Sequence, residues 1–132
     1  MSANPGIVGI HHIGITVTEL PASVEWFVSV LGAEKVAQLD IGPMSKAMIR
    51  LGDVMLSLVS HGPAGISGPF DEHRVGLDHL SFAVPSTGAL KTWAGRLDGA
   101  GVEHSGIVAG ATGSLIAFRG PDNIALEFYT LN

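Results

Sequence analysis

Two histidines, His12 and His79, and one glutamate, Glu127, are the residues of this sequence best suited to hold a metal ion. Imidazole nitrogen and carboxylate oxygen together suit Fe2+, Mn2+, Zn2+, Ni2+ or Co2+. Two histidines and a carboxylate occupy one face of an octahedron and leave open positions, where a small molecule can bind through two neighbouring oxygens. A metal held in this way can acidify an adjacent C–H or O–H, or bring O2 beside the substrate. The chain has no cysteine, which removes thiolate ligands, disulfides and a cysteine nucleophile from consideration.

An internal repeat separates these two histidines from the others. The segment GIHHIGITV at 9–17 matches GLDHLSFAV at 76–84, at an offset of 67, and puts His12 and His79 at equivalent positions. A helical pattern follows each copy. Val24, Phe27, Val28 and Leu31 fall at i, i+3, i+4 and i+7, as do Leu90, Trp93, Ala94 and Leu97, and this spacing makes one apolar helix face. Pro21 suits a first helical turn and Gly32 a helix stop. Ser86 or Thr87 can cap the second helix, and Gly99 and Gly101 bracket its exit. Strands are expected near 34–41, 45–51 and 54–60, then near 105–109, 113–119 and 123–129, separated by Gly-, Pro- and Asn-bearing turns.

Side chains alternate faces along a strand. Ile13, Ile15 and Val17 therefore share one face, and His12, Gly14 and Thr16 the other. In the repeat, Leu80, Phe82 and Val84 oppose His79, Ser81 and Ala83. In the last strand, Ile124, Leu126 and Phe128 oppose Ala125, Glu127 and Tyr129. In 54–60, Leu56 and Leu58 belong against the helix, and Met55, Ser57 and Val59 lie on the other face. A sheet that is apolar toward a helix and small or polar on its other side suggests a curved sheet around a cavity. The fold expected is α+β: two βαβββ modules, at about 7–61 and 76–130, joined by a Gly- and Pro-rich linker at 62–75 into one domain. Together they form a curved mixed sheet around a metal-binding cavity.

The markers HHIGITVTELPASVEWFVSVLGAEKV, GLDHLSFAV and RGPDNIALEFY give the chain, over about 7–130, a resemblance to the vicinal oxygen chelate superfamily. That superfamily includes glyoxalase I, methylmalonyl-CoA epimerase, extradiol dioxygenases, fosfomycin-resistance thiol transferases and bleomycin-resistance proteins. The resemblance implies metal ligands on the first and last strands of each unit, positions filled here by His12, His79 and Glu127. It also implies a catalytic role for Glu127. Aligning LSLVS at 56–60 with LEFYT at 126–130 puts Ser57 where many members carry a fourth ligand, usually Glu, Gln or His, so the chain departs from the glyoxalase I pattern. Arg50 and Arg119 are the cationic residues placed on inner-facing strand positions, and Met55 and Tyr129 are candidate cavity walls. With Ser57 they form the expected substrate-binding set. His11, of opposite parity to His12, reads as structural, and His61, His73 and His104 as solvent-exposed.

The reading that follows is a metal-dependent lyase, isomerase or dioxygenase acting on a small molecule with adjacent oxygens. The alternatives are a fosfomycin-type thiol transferase and a metal-free protein that binds a drug or metabolite. A net charge of -5 over 132 residues disfavours nucleic acid and anionic membranes as partners. The N-terminal MSANPGIVGI lacks the pattern of a signal peptide, and no run approaches the length of a membrane span, so a cytoplasmic location is expected. The resemblance further implies a homodimer.

Overall fold

The computed structural model describes residues 4–131, which part into two compact units at Gly65 and Ile66. Unit one runs β1 (Ile13–Thr16), α1 (Leu20–Leu31), β2 (Glu34–Ile41), β3 (Met44–Leu51) and β4 (Val54–Ser60). Unit two runs β5 (Leu80–Ala83), α2 (Thr87–Gly99), β6 (Val108–Ala109), β7 (Gly113–Arg119) and β8 (Ala125–Leu131). Each is a four-stranded mixed sheet, ordered β1-β4-β3-β2 in one unit and β5-β8-β7-β6 in the other. In each, the first strand pairs in parallel with the last and the remaining pairs are antiparallel. The two βαβββ modules of the α+β reading are therefore present.

The register shows that the repeat is structural as well as sequential. Ile13 pairs with Leu56 and Gly14 with Ser57. In unit two, Leu80 pairs with Leu126 and Ser81 with Glu127. A one-residue slip would move every side chain to the opposite face, so apolar burial on the helix side holds this register.

That burial is extensive in both units. Phe27, Ile49, Leu56 and Leu58 are sealed in unit one, as are Leu90, Leu97, Ile116 and Leu126 in unit two. Each such side chain stabilises its unit by about 1.5–3 kcal/mol relative to exposure. In unit two an aromatic cluster forms around Phe128. Trp93 of α2 stacks on its ring at 4.3 Å between centroids, and Phe118 and Phe82 approach at 4.9 and 6.2 Å.

Both helices end as their sequences indicate. Pro21 lies in the first turn of α1, and Gly32 stops the helix in the left-handed conformation (φ 74°). Gly32 N–H donates to Val28 O, the bond of an αL stop, and Ala33 N–H donates to Phe27 O. Ser86 caps α2 by accepting from Ala89 N–H at 3.1 Å.

Four local expectations are corrected. Helix α1 buries Leu20, Ser23, Phe27, Val30 and Leu31, whereas Val28 is exposed. The helix is apolar nearly all round, and the sheet selects a stripe rotated from the one centred on Val24 and Val28. The strand expected at 105–109 shrinks to Val108–Ala109, preceded by an isolated bridge between His104 and Phe118. Between them Gly106 adopts φ 73°, outside the extended range of a regular strand. The last strand begins at Ala125 rather than 123, because Asp122 and Asn123 both take positive φ in the preceding turn. Finally, β1 and β5 start directly after His12 and His79, so both histidines sit at strand mouths rather than within strands.

Candidate functional site

In unit two, the open face of the sheet is built from small residues around one carboxylate. Glu127 on β8 lies between Ser81 on β5 and Ala117 on β7. Its strand neighbours Leu126 and Phe128 are buried on the helix side, so alternation fixes Glu127 on the open one. Its side chain is only 17% exposed. His79, at the mouth of β5, brings Nε2 to 3.6 Å from Glu127 Oε1.

Two donors each about 2.1 Å from one ion and at ordinary bond angles stand about 3.0–3.4 Å apart. The observed separation is a few tenths of an ångström from that, and one imidazole and one carboxylate form a mixed N/O donor pair. These residues therefore fit a divalent metal. His79 Nδ1 bonds Asp78 Oδ1 at 2.6 Å. That bond, and then the Glu127 charge, raises the His79 pKa above its usual value, against the effect of partial burial.

Beside this pair runs a groove of about 420 Å³, whose charged lining includes Glu72, Asp78, Glu103, Arg119 and Glu127. Four carboxylates against one guanidinium make a negative field that attracts a cation. Arg119, on β7 opposite Ala125, is held by Glu72, with contacts of 2.6 Å from Nη2 and 3.4 Å from Nη1. Nη1 also donates to Asn123 O at 3.2 Å. The pairing lowers the Glu72 pKa and raises that of Arg119. Phe70 N–H donates to Asp122 O at 2.6 Å and Asn123 Nδ2 to Phe70 O at 3.1 Å, so the segment carrying Glu72 is strapped to the β7–β8 turn.

Of the remaining expected residues in unit two, Tyr129 lies on the same face of β8 as Glu127. It lines a separate groove with Ser81 and Ala83, and its hydroxyl bonds Thr112 Oγ1. In unit one, Ser57 is buried on β4 between Gly14 and Met48, the position Glu127 holds in unit two. Met55 pairs with Arg50 across β3–β4. Arg50 turns toward Glu34 on the neighbouring strand, 3.8 Å away, in a solvent-exposed ion pair of small energetic weight. His12 precedes β1 and is exposed, with Nδ1 2.9 Å from His11 Nδ1.

Several residues near the groove went unrecognised in the sequence. Asp78 and Glu72 are two of them. Asp78 had a signal, because the repeat places it at the counterpart of His11. His104 is corrected from exposed to largely enclosed, its side chain 13% exposed. Its Nε2–H donates to Asp98 at 2.7 Å and Nδ1 accepts from Gly106 N–H, which ties α2 to the chain that follows it. His73 is exposed as expected and bonds Asp71 at 2.8 Å. Asp71, Glu72 and His73 bring potential ligand atoms within 4.8 Å of one another, but each is already engaged, Glu72 by Arg119 and the other two by each other.

The family model of the Glyoxalase/Bleomycin resistance protein/Dioxygenase superfamily matches residues 9–128, both repeats included. The chain belongs to that superfamily. A glyoxylase/bleomycin resistance protein/dioxygenase domain from Frankia sp. EAN1pec is 34% identical, with 96% of this chain and 94% of that one covered and a TM-score of 0.88. A glyoxalase family protein from Enterococcus faecalis shares the superfamily fold at 22% identity, with 92% and 97% covered and a TM-score of 0.76. So does the fosfomycin resistance protein FosX from Listeria monocytogenes, at 18% identity, with 96% of each chain covered and a TM-score of 0.72. Comparison with curated proteins found no match. The superfamily joins enzymes and binding proteins by name, so the reaction has to be argued from the site.

Proposed function

We propose that this superfamily member is a metal-dependent enzyme of the glyoxalase/dioxygenase type. In this reading His12, His79 and Glu127 hold one divalent ion, and the substrate is a small molecule that binds it through adjacent oxygens. The observation that carries the reading is the 3.6 Å approach of His79 Nε2 to Glu127 Oε1 at the edge of an acidic groove. The identity of the ion among Fe2+, Mn2+, Zn2+, Ni2+ and Co2+ is left to the experiment below. FosX has been crystallised with Mn(II), and a mutant of it with Mn(II) and 1S,2S-dihydroxypropylphosphonic acid, which makes Mn(II) the first ion to try.

A metal held there would supply Lewis acidity, lowering the pKa of a C–H or O–H beside the chelated oxygens. The protein's own residues do the rest. Glu127 is the carboxylate proposed to take a proton from such a group. Ser57, in the corresponding place of unit one, is a hydroxyl that orients a substrate but cannot act as a strong base. Met55 and Tyr129 supply apolar wall, and Arg50 and Arg119 complete the set proposed to contact substrate. The field of the groove favours this reading over a thiol transferase built for a phosphonate. Its single arginine is matched by Glu72, and the remaining carboxylates repel an anion.

A cytoplasmic homodimer acting on a small molecule, with neither nucleic acid nor membrane as partner, completes the proposal. No helix among the described residues is long and apolar enough to cross a membrane. The test is elemental analysis of protein purified without chelator, followed by Mn(II) and anaerobic Fe(II) titration of the protein and its His12→Ala, His79→Ala and Glu127→Ala variants. Turnover is then screened on catechols, α-hydroxythioesters and epoxides. Each substitution is expected to lower metal affinity sharply with the fold intact. Unchanged affinity in any one removes that residue from the site. Tight ligand binding without metal or turnover would replace the enzyme by a binding protein.

A further inference from the structure

The two repeats share a contact that neither packing nor strand pairing requires. Asp78 Oδ1 lies 2.6 Å from Nδ1 of His79, the next residue in the chain. His11 Nδ1 lies 2.9 Å from Nδ1 of His12, again the next residue, with the rings edge-on at 81°. Residues 11 and 78 are equivalent under the repeat offset of 67, as are 12 and 79. So are Gly9 and Gly76, two residues upstream, with φ of 147° and 141°. Side chains at these φ values are disfavoured, and the shared conformation delivers both pairs to the mouths of β1 and β5 in the same manner. All four side chains belong to exposed residues, and Asp78 is 73% exposed, so burial does not explain the contacts.

We infer that Asp78 and His11 are positioning residues, each fixing the ring of the histidine that follows so that His79 and His12 present Nε2 as the metal-binding atom. The inference rests on the metal-site reading above. A carboxylate only accepts hydrogen bonds, so His79 must carry its proton on Nδ1 and leave the Nε2 lone pair free. That is the nitrogen facing Glu127. Partners of this kind, bonded to the far nitrogen of a ligating histidine, set its tautomer and raise its basicity.

The two units do this unequally. Asp78 offers a charged acceptor and His11 a neutral one, and charge-assisted hydrogen bonds are about twice as strong. For His12 to match His79, His11 must accept at Nδ1 and carry its own proton on Nε2. His79 is therefore the better-held ligand of the two, and the loss of Asp78 is felt more than the loss of His11.

The test uses full-length protein with 15N-labelled histidine. In the apoprotein, two-bond 15N–1H correlation spectra are expected to show His79 as the Nδ1–H tautomer. Asp78→Ala should abolish that preference and lower Mn(II) affinity about 10–100-fold, with His11→Ala losing less. Asp78→Asn keeps the acceptor oxygen without the charge, so it should retain the tautomer and recover part of the affinity. If Asp78→Ala leaves the tautomer unchanged, the positioning role is overturned. It is equally overturned if Asp78→Asn and Asp78→Ala weaken Mn(II) alike, which would reduce Asp78 to a general negative charge. Wild-type protein that binds no Mn(II), Fe(II) or Zn(II) overturns the metal reading itself, and the apoprotein spectra then still decide whether Asp78 sets the His79 ring.

Discussion

Glu127 and Phe128 are neighbours on β8 that face opposite ways, so their substitutions should fail in opposite assays. Phe128 is 3% exposed and stacked on Trp93 at 4.3 Å, with Phe118 and Phe82 closing the cluster. Truncation to alanine is expected to cost about 3–5 kcal/mol, of which the Trp93 stack supplies about 0.5–1.5 kcal/mol. Against a typical total of about 5–15 kcal/mol, that brings unit two close to unfolding. With a urea m-value of roughly 1–3 kcal/mol per molar, the midpoint should fall by 1 M or more. The two tryptophans lie one in each unit, so Trp26→Phe leaves Trp93 as the sole reporter of unit two. Urea titration followed by Trp93 fluorescence and by circular dichroism reads the change. Glu127→Gln in the same background keeps size and alternation and should shift stability by less than about 1 kcal/mol. Its Mn(II) affinity should fall by more than the 10–100-fold typical of losing an outer hydrogen-bond partner. The reasoning is refuted if Phe128→Ala costs under 1 kcal/mol, or if Glu127→Gln unfolds unit two or leaves Mn(II) affinity unchanged.

Other changes probe other links of the argument. Ser57→Glu places a carboxylate at the unit-one counterpart of Glu127 and should tighten Mn(II) binding, as isothermal calorimetry would register; weaker binding would mean that Ser57 does not face the ion. Ser86→Ala removes the cap on Ala89 N–H and should cost about 1 kcal/mol of thermal or urea stability. His73 has its pKa raised by the Asp71 hydrogen bond, and Asp71 has its own lowered by bonds from His73. The raised histidine stabilises fully below its ordinary 6.5 and fades as pH rises through the folded value, while the lowered carboxylate stabilises fully above 3.8 and fades on acidification. Their contribution should therefore peak between those two values, and Asp71→Ala should move the His73 titration, followed by NMR, down toward the ordinary value, with Glu72 and Asp78 still acting to raise it.

Sequence legibility followed periodicity and repetition. Strand alternation told which face of β8 carries Glu127, because it is local and survives tertiary packing, and the offset of 67 paired His12 with His79, because two copies of one pattern take the same place in two like modules. The misreadings arose where a local rule admits two answers. LPASVEWFVSVL is apolar on nearly every side, so its buried stripe is chosen by the sheet, which takes Ser23 inward and leaves Val28 out. Gly106 carries no periodicity, yet its backbone ends the run expected at 105–109. The Glu72–Arg119 bond spans 47 residues between a Gly- and Pro-rich segment and a strand, and nothing local announces it.

The repeat also shows where the halves diverge. Register, helix position, the glycines at 9 and 76 and the histidines at 12 and 79 match, while the carboxylates of the candidate site have no counterpart in unit one: Ser57 stands against Glu127, and His11 against Asp78. Both differences put the carboxylate in unit two. In the proposed site the negative donors then come from unit two, while unit one offers at Ser57, paired with Gly14, only a hydroxyl. Such a division suits an ion that must keep positions open for a substrate's oxygens, because a carboxylate at residue 57 would compete for one of them. On this argument Ser57→Glu should raise metal affinity and lower turnover together, and a variant that gains both would show that the open positions lie elsewhere.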